Sequence, residues 1–154
     1  MATALVIMHG LVAVALLGAV THQTLATWTL GRARLGSFFG RFRAVPPASF
    51  AGAIVLLYTV SAILGALLYV DFRVDIRPML EHSGHWKTLG LFDIKEHFVA
   101  IGWALLPAYW VCWRRPCADE PPRTRAALTS ILAFVVWWSF LIGHVTNNIR
   151  GFGP

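Results

Sequence analysis

The sequence predicts an all-α protein, a four-helix bundle that crosses a membrane, and three observations carry that reading. Apolar residues make up 57% of the 154-residue chain and charged residues only 13%, where a soluble domain carries about 25%. Four stretches, 1–31, 44–70, 98–113 and 126–149, contain no Asp, Glu, Lys or Arg. Crossing about 30 Å of hydrocarbon takes a helix of roughly 20 apolar residues. Three of the stretches are long enough alone. The remaining one suffices once a charged first turn near Asp93 sits among the headgroups. The predicted spans are 2–29, 48–70, 94–113 and 124–148, in one domain covering 1–154.

The first span has no basic leader and no small-residue cleavage site ahead of a mature domain. It is expected to stay as a helix rather than be removed as a signal peptide. After it comes GRARLGSFFGRFRAVPP, with four arginines and no acid. Pro46 and Pro47 mark the start of the second span, since proline suits a first helical turn. Within that span Ser61 and Gly65, four residues apart, mark a face where helix backbones approach closely.

Next comes a polar stretch from Asp71 to His97, which holds five of the seven carboxylates and three of the six histidines. It reads as a loop that ends at Asp93, which with Glu96 forms an acidic variant of the capping box and starts the third span. Pro107 is the expected kink in that span. The segment WRRPCADEPPRTR leads into the fourth. Cys112 and Cys117 read as plain thiols on a reducing side rather than as a metal pair.

Charge sets the orientation. The first and third connections carry four arginines each, whereas the middle one balances four basic residues with five acids. Basic residues stay on the cytoplasmic side. Both termini and the polar stretch are therefore expected on the outer, periplasmic side of a bacterial inner (cytoplasmic) membrane. The net charge of +6 sits in short loops, which fits topology and contact with the lipid bilayer. It argues against nucleic acid as a partner.

Histidine in hydrocarbon is costly without a partner, so such residues mark functional positions. On the predicted topology His9, His97 and His144 fall in the outer third of the membrane on three different helices. His22 lies 13 residues beyond His9, about 19 Å deeper, and no other helix offers a histidine there. Two imidazoles from different helices are what axial ligation of haem iron requires. Gly10 beside His9 and Gly143 beside His144 leave room for a flat macrocycle. Arg73, Arg77, Lys95 and Arg150 lie on the side where propionates need cations. The plainer alternative is that each histidine hydrogen-bonds across helices. His82 and His85 read as loop histidines or as proton acceptors from a quinol. Trp28, Trp86, Trp110 and Trp113 read as interfacial anchors.

With His9, Gly10, His22, His97, Gly143 and His144 so placed, the chain resembles the small four-helix b-type cytochromes that anchor respiratory enzymes in membranes. The resemblance implies electron transfer between a quinone and a redox partner, through one haem b near the outer face. His97 with His144 or His9 would supply its axial ligands. A 154-residue bundle with short loops has little room for a catalytic domain, so the chain is expected to work inside a larger complex, beside other membrane subunits or a periplasmic redox protein, with no catalytic residue of its own. His9 and His22 are similar to the paired histidines by which larger cytochromes b hold two haems. A second haem at His22 lacks a matching ligand in this sequence. Two other classes stay open. One is a copper-type site serving assembly of another enzyme, with Met8 and Met79 as soft ligands. The other is an accessory subunit whose polar stretch docks a partner.

Overall fold

The computed structural model describes residues 2–28, 45–114 and 122–150. The arginine-rich connections between helices fall largely outside these residues, as do Cys117 and the side chain of Arg150. Helix α1 is Ala2–Trp28, and a 3-10 turn at Pro47–Phe50 leads into α2, Ala51–Asp71. A π-helical turn, Phe72–Ile76, joins α2 to the short α3, Arg77–His82. Helices α4, Trp86–Arg114, and α5, Pro122–Arg150, complete the chain, and the described residues contain no strand. Three helical segments are long and apolar enough to cross a membrane: Thr3–Trp28, Pro47–His82 and Arg123–Ile149. Helix α4 has the length, at 29 residues, but its first turns are polar.

The polar stretch is therefore not a loop. Backbone of α2 runs on through the π turn, where the Arg77 N–H donates to the carbonyl of Phe72. One extra residue in the turn re-aims the helix beyond it. Phe72 and Leu80 then point at Leu89 and Phe92 and form a small buried cluster. The real break is Gly84, whose φ of +76° is the left-handed conformation that glycine adopts without strain. The chain turns there and α4 starts at Trp86, eight residues before the expected span start at 94. Asp93 is accordingly inside the helix and caps nothing. Its carboxylate is engaged elsewhere, by Arg77.

The four long helices pack as a square. Antiparallel α1 and α2 are neighbours, α1 also packs on α5, α5 on α4, and α4 less extensively on α2. The polar links between helices gather at the end where α1 and α4 finish. Tyr109 donates to Gln23 Oε1 at 2.5 Å, and Gln23 Nε2 to the Pro47 carbonyl at 2.9 Å. Trp28 donates to Ser130 at 2.8 Å, Trp137 to Thr21 at 2.9 Å and Trp113 to Thr129 at 3.2 Å. Side-chain bonds of this kind are worth about 0.6 kcal/mol each between membrane helices. The main buried cluster lies in the same half, around Leu16, Val20, Ile54, Tyr58, Leu106, Tyr109 and Leu132. By contrast, no described side chain of α1 before Leu16 is buried.

At mid-height α2 and α4 touch closely. The Tyr58 hydroxyl donates to the Val99 carbonyl at 3.0 Å, and its ring occupies the space a side chain at position 102 would need. Gly102 makes that approach possible.

The candidate histidine site

The site lies at the opposite end of the bundle, under the cap formed by the π turn, α3 and the first turns of α4. Arg77 organises the cap. Its Nε lies 3.0 Å from Glu81 Oε1, while Nη1 and Nη2 reach the two Asp93 oxygens at 3.1 and 3.4 Å. A planar guanidinium suits such a fork on a carboxylate, and here the fork ties α3 to α4. Below it the rings of Phe72 and Phe92 stack at 3.9 Å, with Lys95 Nζ 4.1 Å from the Phe92 centroid. Lys95 also pairs with Glu96 at 2.7 Å. Arg73 is exposed and lies along Tyr69, 3.4 Å from its hydroxyl. Of the cations expected to face a propionate, Arg77 and Lys95 thus already have carboxylate partners, whereas Arg73 has none among the described residues.

His97 stands one turn beyond Asp93. Its Nδ1 is 2.7 Å from the Asp93 carbonyl oxygen. A carbonyl has no proton to give, so Nδ1 carries the hydrogen, and in the neutral ring Nε2 is then the nitrogen with the lone pair. The ring is exposed, on a face of α4 shared with Gly90, Ile94, Ile101, Ala104 and Ala108. Ala100, Ala104 and Ala108 repeat at spacing four on this outward side, the small-residue pattern that lets a second helix approach.

His9 is set differently. It continues the inward stripe of Leu16, Val20 and Gln23, and its Cε1 would lie 3.4 Å from a Cβ at Gly65. The ring faces the Ser61 backbone, with the charges of Lys95 and Glu96 in electrostatic reach. Its Nδ1 is buried without a hydrogen-bond partner. The Ser61–Gly65 notch, legible as a close-approach face, thus receives a histidine ring rather than a helix backbone. His144 is exposed and lies parallel to Phe140, centroids 6.3 Å apart. His22 packs its ring on Phe50 at 4.6 Å in the other half of the bundle.

Depth follows from the cross-links. Trp137–Thr21 and Trp28–Ser130 put His144 level with Val14 of α1. Tyr109–Gln23 puts His97 level with Leu11. His9, His97 and His144 therefore lie within about 8 Å along the bundle axis at about 1.5 Å per residue. They share a level but not a common point. Among the described residues no three His, Cys, Asp or Glu side chains gather as a metal would need. Met8 and Met79 are both exposed, on α1 and α3. Cβ atoms at Gly10 and Gly143 would meet nothing within 4 Å, so space beside both histidines is open.

Compared with known proteins, the chain matches no family model, no curated sequence and no solved structure. The residues that sequence reading missed are Gln23, Tyr109 and Gly102. Gln23 carried a signal, as an amide in an otherwise apolar span. The other two carried none, because their roles arise only from which helices become neighbours.

Proposed function

We propose that the chain is an electron-transfer subunit of a larger membrane complex, with His97 as an axial ligand of haem b and His144 or His9 as the second. The observation that carries this reading is the bond from His97 Nδ1–H to the Asp93 carbonyl. Metal-ligating histidines nearly always donate their other ring nitrogen to a carbonyl or carboxylate, which fixes the tautomer and the ring direction. The residues fit the group in three further respects: the unpartnered Nδ1 of His9, the open space at Gly10 and Gly143, and the common level of the three rings. When bound, haem supplies a one-electron couple. The chain's own residues orient and tune. Arg77 holds Asp93, Asp93 holds His97, and Arg73 stands exposed as a counter-ion for a carboxylate.

Exposure of His97 on a small-residue face supports a site completed against another membrane subunit. In the proposed topology all four long helices span, the termini lie outside, and the cap faces the periplasm. A quinol oxidised beneath the cap gives its protons to the outside, with the exposed His82 and His85 as acceptors. The same exposed cap also favours a second reading, an accessory subunit that docks a periplasmic partner.

The test is a visible spectrum of the protein purified from its native membrane. A reduced b-type Soret and α band is expected, lost in His97→Ala. A full haem complement in His97→Ala refutes the ligand assignment. A colourless native protein that also holds no metal leaves the docking reading. A reporter active only in the cytoplasm, fused after Pro154, should be inactive; activity overturns the topology.

A further inference from the structure

A groove of about 500 Å³ runs down the outer surface between α2 and α4, at the bundle end opposite the cap. Gly52, Leu56, Thr59, Trp103, Pro107 and Trp110 line it, and Thr59 is the one hydroxyl among them. Gly52 creates the width: a Cβ there would already touch the Trp110 ring at 3.7 Å. Helix α4 ends one turn beyond Trp110, at Arg114. Its exposed guanidinium lies 4.5 Å from the centroid of Trp110, the lining residue nearest the end of α4. No carboxylate pairs with it among the described residues, and neither 45–70 nor 97–114 contains an acid. From Arg114 to Trp103 is 11 residues, about 16 Å along the helix. A cation at the rim above a long apolar slot is complementary to one kind of molecule.

We propose that this groove is a binding site for an anionic phospholipid, with the phosphate on Arg114 and one acyl chain lying between α2 and α4. Trp110 serves both parts, stacking under the guanidinium and walling the slot. Arginine suits the role because it stays charged and its fork matches phosphate oxygens. Its place at a helix C-terminus is also where a cation is favoured. The inference rests on the membrane reading and needs nothing at His97, so a colourless protein leaves it intact.

The test counts phospholipid retained by the full chain. The protein is exchanged in detergent against an equimolar mixture of phosphatidylglycerol and phosphatidylcholine, then measured by native mass spectrometry. Phosphatidylglycerol should be retained in preference, and Arg114→Gln should reduce that preference about fivefold, the equivalent of ~1 kcal/mol per arginine near the headgroups. Gly52→Leu, which fills the slot and leaves Arg114 in place, should abolish retention. Arg123→Gln, on α5 and away from the groove, should change nothing. Circular dichroism checks that each variant is folded. Equal losses in Arg114→Gln and Arg123→Gln mean diffuse attraction to a basic surface and overturn the site. So do equal retention of the two lipids and unchanged retention in Gly52→Leu.

Discussion

Gly102→Ala tests how closely α2 and α4 are fitted. A Cβ at position 102 lies 2.8 Å from Tyr58 Cζ and 3.1 Å from Val135 Cγ1, against ordinary contact from 3.4 Å. The Tyr58 hydroxyl oxygen lies closer still, so the ring must retreat by more than about an ångström to reach ordinary contact distance, and its hydroxyl then leaves the Val99 carbonyl, now 3.0 Å away. Overpacking of this kind costs about 1–3 kcal/mol, and a buried hydroxyl without a partner about 1–3 kcal/mol. Better helix propensity of alanine returns about 1 kcal/mol. The net expectation is a loss of about 3 kcal/mol. The assay is reversible unfolding in mixed micelles titrated with dodecyl sulfate, followed by tryptophan fluorescence. Tyr58→Phe removes the atom nearest the new methyl, so Gly102→Ala should cost about 1 kcal/mol less in that background. A neutral Gly102→Ala, or equal costs in both backgrounds, refutes the reasoning.

Three further expectations use the same unfolding measurement. Gln23→Leu removes two hydrogen bonds and leaves the buried Tyr109 hydroxyl unpaired, for a loss of about 1–3 kcal/mol. A Tyr109→Phe, Gln23→Leu double variant should lose less than the sum of the single changes. Gly84→Ala forces a left-handed φ on a residue with a Cβ and should cost about 1–2 kcal/mol, with Gly84→Asn closer to wild type. Phe92→Ala opens the cap cluster and should cost about 3 kcal/mol; no change would mean that the cap is not packed.

Helix class and approximate positions were legible because uncharged runs of this length have few alternatives. The start of α4 was not. Asp93 and Glu96 satisfied a capping pattern by spacing alone, and only the tertiary fork from Arg77 shows that Asp93 serves another purpose. The polar stretch looked like a loop because charge was read as solvation. Its apolar residues Phe72, Ile76 and Leu80, spaced four apart, keep to one face through the π turn. The depth of the histidines could be reckoned from residue counts, but their direction could not. His97 faces outward and His9 inward, which depends on the rotation of each helix in the square.

The uneven distribution of cross-links gives the bundle the mechanics of a clothes-peg. The described side-chain bonds between α1 and α5 are made at Thr21 or beyond on α1 and at Trp137 or before on α5. The far halves of these two helices can part without breaking any of them. On the haem reading proposed above, this less tied end is where a planar group would enter, so its loading would not require the Gln23–Tyr109 end to open.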